Sequence, residues 1–333
     1  MLTGTTLGNA NEAYTYNSFG EVATYHAAYS GTNRLDLAYT RDALGRITQK
    51  VETIQGQAAT YDYAYDLAGR LIEVRHNGAT VATYGYDANG NRTQVNGATV
   101  ATHDEQDRLL TQDGATYSYT ANGELKTKTV GGQTTSYDYD VLGNLRHVAL
   151  PDGRTLDYLI DGQDRRIGKK VNGVLTQGFL YQSALQIAAE LDGNHQIVSR
   201  FVYASDGNSP DVLIKGGQTY RLIKDHLGSP RLIINNATGA IEQRMDYDVW
   251  GRVILDTNPS QVGYASRTFF EAWTLVDKLL AFTDAGHDGT RCVPYGGMSR
   301  VGWAWPTFSI LRRPRPGGPC PPYIAAASWY TSQ

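Results

Sequence analysis

Side chains able to do chemistry are thinly spread along this chain. Seven histidines are scattered over 333 residues, and only His226, inside Asp225-His226-Leu227-Gly228-Ser229, stands in a singular context. The two cysteines, Cys292 and Cys320, both lie near the end, which leaves the rest without disulfides or thiolate metal sites. There is no Gly-x-Ser-x-Gly, no phosphate loop, no Gly-x-Gly-x-x-Gly, no His-Glu-x-x-His and no paired Cys-x-x-Cys, so no catalytic, cofactor or metal site is expected. Aspartates are the remaining candidates. Two carboxylates do acid–base work by sharing a proton only when they lie close together. Asp225 and Asp248 instead head Asp-x-x-Gly sequences, where a carboxylate accepts backbone amides of its own turn. Both aspartates and His226 are therefore read as turn-stabilising residues.

The elements that hold them are repeats. A unit Tyr-Asp-x-x-Gly-Arg/Asn occurs at Tyr65 to Arg70, Tyr86 to Asn91, Tyr139 to Asn144 and Tyr247 to Arg252, with variants at Tyr16 to Glu21, Asp42 to Arg46 after Tyr39, and Tyr119 to Glu124. Weaker copies sit at Asp104 to Arg108 and Asp161 to Arg165. Equivalent positions recur every ~16 to 25 residues, the length of two short strands and two turns. One repeat is one hairpin. Ahead of the turns the tyrosines alternate, as in Tyr61-Asp62-Tyr63-Ala64-Tyr65, so one strand face is aromatic and the other small or polar. The turn residues singled out are Gly20, Gly45, Tyr65, Asp66, Gly69, Tyr86, Asp87, Gly90, Gly123, Tyr139, Asp140 and Gly143, each Gly being expected to take the left-handed conformation. Second turns at Asn77-Gly78, Asn96-Gly97, Gly131-Gly132, Asp152-Gly153 and Asn172-Gly173 are strong hairpin signals. Because a lone hairpin is marginal, the units must stack into one continuous, curling sheet.

The stretch Lys224 to Arg252 contains every part of this pattern. Asp225 to Arg231 is a turn with Gly228 and Pro230, Leu232 to Ile234 is a short apolar run, Asn235 to Gly239 tolerates positive φ, and Tyr247-Asp248-Val249-Trp250-Gly251-Arg252 closes it. This DHLGSPR turn and YDVWGR close, following many YDxxG units, resemble the core of the Rhs/YD-repeat family, which includes insecticidal-toxin C proteins and the YD shell of teneurins. The likeness covers roughly residues 14 to 259. It implies a β-strand shell around a chamber that often encloses a toxic C-terminal segment, in a secreted or cell-surface protein. It also marks Asp225, His226, Leu227, Gly228, Pro230, Arg231, Tyr247, Asp248, Trp250, Gly251 and Arg252 as core-motif residues. Relatives in this family cut themselves at an aspartyl-protease-like site with a downstream Asp-Pro signature. No Asp-Pro dipeptide occurs in this chain, which is therefore expected to stay uncleaved.

Composition agrees with a mainly β fold: 23 Tyr against 7 Phe, 36 Gly, and 41% hydrophobic residues, enough for a sizeable core. A net charge of −3 argues against nucleic acid as a partner. No apolar run approaches the roughly 20 residues that span a bilayer, and no signal peptide opens the chain. The expected divisions are 1–223 (repeats), 224–259 (core hairpin and last unit) and 260–333, a Pro/Trp/Arg-rich tail read either as a variable terminal module or as an out-of-frame sequence. Within the tail, Phe269, Trp273, Val276 and Leu280 have helical spacing, giving one helix near 269–283 that could cover the sheet near Tyr247 to Val253.

The expected function is thus structural: a non-catalytic, curved hairpin-repeat sheet forming part of a YD-repeat shell, with no cofactor. Its expected partners are an enclosed C-terminal toxin segment, an immunity protein or further repeats of a longer chain. A carbohydrate-binding surface, through exposed Tyr and Trp, and a toxin activity within 260–333 are the alternatives.

Overall fold

The computed structural model describes residues 1–205 and 209–258. Among these there is no helix; 26 strands run from β1 (Gly4–Leu7) to β26 (Val253–Asp256), each paired antiparallel with its sequence neighbours except at one break. The expected helix near 269–283 lies outside the described residues.

The expectation of one continuous sheet needs correcting. The strands form a 10-stranded sheet and a 16-stranded sheet, both in strict sequence order, and the end strands do not pair with each other to close either one. The interruption falls at Val100, between the two-residue β10 (Ala98–Thr99) and β11 (Ala101–His103). Val100 donates its N–H to the Thr93 carbonyl at 2.8 Å and accepts from the Asp113 N–H at 3.0 Å, so one residue links the two ladders. Its backbone groups are satisfied although the strand ends there.

Each Asp-x-x-Gly turn is built the same way. In the unit at Asp66 the Gly69 N–H donates to the Asp66 carbonyl (3.0 Å) and the Asp66 N–H to the Arg70 carbonyl (2.9 Å), a type I turn followed by a left-handed residue in a bulge. The register slips at the tyrosine before it, between Ala64 and Tyr65, as the extra residue requires. One Asp66 carboxylate oxygen accepts the Arg70 N–H (2.9 Å), and the other takes the Arg70 Nε (2.7 Å).

That arginine also reaches forward. Its guanidinium lies over the ring of Tyr86 in the next unit, 4.8 Å from the centroid, and the Tyr86 hydroxyl donates to the carbonyl of Leu71, the residue after Arg70. Arg46 and Tyr65, Arg108 and Tyr119, and Arg165 and Tyr181 repeat the arrangement at 4.7, 5.2 and 4.9 Å, with hydroxyl bonds to the carbonyls of Ile47, Leu109 and Arg166. So the Arg, read from sequence only as the start of a return strand, ties each unit to its successor. Where Asn replaces it, the contact changes: Asn91 Nδ2 donates to Asp107 (2.8 Å) and Asn144 Nδ2 to Asp164 (3.1 Å). In both cases the partner is an Asp standing in the left-handed position that Gly holds elsewhere, at φ 62° and 59°.

On the opposite rim the two-residue turns at Asn77-Gly78, Asn96-Gly97, Gly131-Gly132 and Asn172-Gly173 have both residues at positive φ. Asp152-Gly153 departs from that expectation. A two-residue turn there would need the Pro151 N–H to bond the Arg154 carbonyl; Pro has none, and its fixed φ suits the second position of the bulged type I turn that forms instead, with the Gly153 N–H on the Leu150 carbonyl.

Gly69 and Gly143 lie at φ 86° and 83°. Gly69→Val and Gly143→Val are expected to lower stability by about 1–3 kcal/mol in urea denaturation, since a β-branched residue is penalised there. Unchanged unfolding of both would contradict this account of the turns.

Candidate functional site

The strand β24 (Pro230–Asn235) explains why the core motif contains an unbroken apolar run. All six of its residues are buried. Leu232 and Ile234 pack with Leu35, Leu37 and Ile54 of the first sheet, while Ile233 packs with Phe179, Phe201, Leu222 and Met245 of its own sheet. A strand covered on both faces needs apolar residues at successive positions rather than alternate ones. The last strands are therefore seated against the first, face to face.

Charged residues cross this apolar seam. Arg231 of β24 meets Glu52 of β5 (Ile47–Ile54), 179 residues away in sequence, through Nη1–Oε2 at 2.6 Å and Nη2–Oε1 at 3.0 Å. Its Nη2 also reaches Asp246 Oδ1 (2.9 Å), and its Nε donates to the Met245 carbonyl (2.9 Å). Both Arg231 and Glu52 are buried. Burial alone would raise the Glu52 carboxyl, but the hydrogen bonds and charge of Arg231, with Lys50 at 3.3 Å, more than reverse this and leave its pKa below the ordinary value of 4.5.

A second pair stands beside it. Arg221 of β23 (Gln218–Lys224) donates through Nε to Glu12 Oε1 (2.5 Å) and through Nη2 to Thr5 Oγ1 (2.8 Å), again joining the last strands to the first. Fully buried Asp211 takes Lys224 Nζ (3.1 Å) and the N–H groups of Ala204 and Ser205. Burial opposes its charge, yet those donors bring its pKa below the ordinary 3.8.

Aromatic contacts complete the seam. His226 lies on the Tyr39 ring at 4.5 Å while keeping an exposed side, and burial of the ring, ahead of the nearby cations Arg41 and Lys50, lowers its pKa despite Asp225. Trp250 meets Tyr84 edge-on at 5.0 Å and carries the Arg92 guanidinium 4.1 Å above its ring. Tyr29 donates to the Asn236 carbonyl (3.2 Å), and its ring lies so close to Gly239 that a Cβ there would come within 2.2 Å of it.

The remaining motif residues are turn parts. Asp225 accepts the N–H groups of Leu227 and Ser229 (both 3.0 Å), and Asp248 those of Trp250 and Arg252 (both 2.9 Å). Leu227 is exposed at its turn tip, and the Pro230 carbonyl accepts the Tyr247 hydroxyl (3.0 Å). Gly20, Gly45, Gly69, Gly90, Gly123, Gly143, Gly228 and Gly251 all have positive φ. Along the sheet, Tyr139 is half-buried, and Asp87 and Asp140 each accept two backbone N–H groups of their own turns. The repeat turns line one rim and do not converge on a pocket. Among the described residues no group of His, Cys, Asp and Glu is arranged to hold a metal ion.

Sequence reasoning missed Glu12, Glu52, Arg92, Asp211, Arg221, Lys224 and Asp246. A signal existed for two of them. Glu12 alternates with Ala10 and Tyr14, and Glu52 with Ile54, so each carboxylate falls on an inward strand face, where it demands a cation.

Comparison with known proteins agrees with this architecture. The teneurin YD-shell family model matches residues 1–274. The chain belongs to the teneurin YD-shell family. It is 24% identical to teneurin-4 of Mus musculus over 230 residues, covering 66% of this chain and 8% of that protein. It is 33% identical to double-stranded DNA deaminase toxin A of Burkholderia cenocepacia over 143 residues (38% of this chain, 10% of that protein), and 32% identical to toxin protein Tse5 of Pseudomonas aeruginosa over 140 residues (39% and 10%). Among solved structures, the crystal structure of TcdB2-TccC3-TEV matches with a TM-score of 0.49 and 15% identity, over 78% of this chain and 16% of that one. The YD-shell chain thus spans a tenth or less of the curated relatives it matches.

Arg231→Met takes the bidentate partner from buried Glu52 and one of two cations from half-buried Asp246, and is expected to cost about 3 kcal/mol, with part recovered when Glu52→Gln is added. Urea titration of the two single variants and the double variant reads this; additive losses would exclude the coupling. A pH dependence follows as well. Because the folded pKa values of Glu52 and Asp211 are depressed, their stabilisation is present above the ordinary 4.5 and 3.8 and is lost as pH falls below them. The thermal midpoint should fall on acidification through that window, and less steeply in Glu52→Gln.

Proposed function

We propose that this chain is a wall segment of a structural YD shell in a longer secreted or cell-surface polypeptide, and that the shell encloses polypeptide C-terminal to it. The observation that carries the reading is the buried Arg231–Glu52 pair, which seats the last strands on the first across 179 residues of sequence. Family membership and the toxin names of two relatives support it. The strand tyrosines favour a wall over a sugar platform: Tyr65, Tyr86, Tyr119, Tyr181 and Tyr247 are half-buried and spend their hydroxyls on backbone carbonyls. On this reading the wall performs no chemistry, and Asp225 and Asp248 serve their own turns. Among the described residues no helix is long and apolar enough to cross a membrane.

Two measurements test the proposal. Intact-mass spectrometry after incubation between mildly acidic and neutral pH should return a single species; a discrete cut near residue 260 would overturn the non-catalytic reading. Limited trypsin digestion should cut the five sites of residues 260–333 not followed by Pro (Arg267, Lys278, Arg291, Arg300 and Arg312) more slowly in the wild type than in Arg231→Met, where the seam is loosened. Equal rates would overturn enclosure.

A further inference from the structure

The two rims of the hairpin strip differ in character. One carries polar two-residue turns such as Gln55-Gly56, Asn77-Gly78 and Asn172-Gly173. The other, formed by the Asp-x-x-Gly type turns, displays large apolar side chains at the tips of its first three turns and again at the turn of Val141 and Leu142, with small or polar tips on the three turns between. Phe19 and Leu44 are 88% and 77% exposed, Leu67 and Val141 are fully exposed, and Leu142 stands beside Val141. Single exposed apolar residues are ordinary on a protein surface, but a row of them on one rim is not. Turns on one rim recur every two strands, about 9.5 Å apart, so Phe19, Leu44 and Leu67 on three successive turns form a periodic apolar edge.

Two turns in the chain show what such tips do when another layer is in reach. The tip residue His226 lies on Tyr39, and the tip residue Trp250 lies on Tyr84 and Arg92. In both cases the acceptor is a strand tyrosine just ahead of, or near, an Asp-x-x-Gly turn of the first sheet. The acceptors recur at the same two-strand period as the tips, and a second run of YD hairpins is the surface that matches this spacing over several turns. The relatives extend far beyond the span that this chain covers, 8% of teneurin-4, so polypeptide able to supply such a run lies outside it.

We propose that the apolar rim of Phe19, Leu44, Leu67, Val141 and Leu142 is the seating surface for another run of YD hairpins laid against it, with each tip packing on a strand tyrosine. The inference rests on the shell reading and extends it by naming the surface that joins adjoining runs. In the isolated chain only a second copy can supply the partner, so the chain self-associates through this rim.

Sedimentation velocity across a concentration series decides it. The wild type should associate, and the charge-neutral variant Leu44→Ser/Leu67→Ser/Val141→Ser should associate about 10-fold more weakly with unchanged thermal unfolding, since these tips are exposed within the chain. Leu255→Lys, on the end strand β26, reports the competing route through an open strand edge. A wild type that stays monomeric would overturn the proposal, as would association that Leu255→Lys abolishes and the rim variant leaves intact. Neither result bears on the digestion of residues 260–333, so failure of the rim and failure of the shell are distinguishable.

Discussion

A guanidinium leaves water only if nearly all of its donors are met, and at Arg231 they are: two oxygens of Glu52, one of Asp246 and the Met245 carbonyl surround it. Everything else at the seam is arranged so that this can happen. β24 must be covered on both faces, which fixes its unbroken apolar run, and Glu52 must point inward from a strand whose other inward residue here is Ile54. Arg244 holds the second oxygen of Asp246, and Lys50 shares Glu52 Oε2 with Arg231, so the pair is embedded in a network rather than isolated. The seam is apolar in area and ionic at its points of specificity.

Away from the seam, stability comes from a linkage repeated along one rim. An Asp closes its turn and holds an Arg; the Arg covers the next unit's Tyr; and that Tyr returns a hydrogen bond to the carbonyl following the Arg. Each term is modest, about 1 kcal/mol for a hydrogen bond or a partly exposed cation–π contact. Their effect is positional: the units that carry Arg46, Arg70, Arg108 and Arg165 are each locked to the next, which suits an architecture stabilised mainly by nearest neighbours. The exchange of Arg for Asn at residues 91 and 144 keeps the link by another chemistry, with Asp107 and Asp164 supplying the acceptor. Aspartate tolerates the left-handed conformation well enough to do this where most residues would not.

The hairpin repeat was legible in the sequence because its physics is local. Alternating tyrosines, Asp-x-x-Gly and Asn-Gly determine strand, turn and register within about six residues, and the hairpins follow. Pro151 is equally visible, and its missing N–H excludes the two-residue turn that Asp152-Gly153 suggests. The interruption at Val100 was not legible, since it depends on which ladder each of its two backbone groups joins. Nor was the seam, because a local pattern does not show that Glu52 and Arg231 are neighbours. What the pattern did contain was the anomaly of a carboxylate on an inward face, half of a long-range contact waiting for its other half.

This division of labour answers a difficulty that any periodic sheet faces. A strip of similar hairpins packed on a second layer could slide by one hairpin and recover most of its apolar contact, because tyrosines and aliphatic residues recur at the same interval. Nothing comparable recurs for a buried charge. Moving β24 by one hairpin would take Arg231 away from Glu52 and Arg221 away from Glu12, breaking both pairs that join the two layers and leaving only Lys50 beside Glu52, Asp246 beside Arg231 and Asp211 near Arg221. Buried ion pairs contribute little net stability against a well-packed apolar replacement, but breaking one is costly. The sharp penalty lies on the wrong register, and that is why a wall whose units are nearly interchangeable carries its few distinctive charged residues at the place where its two ends meet.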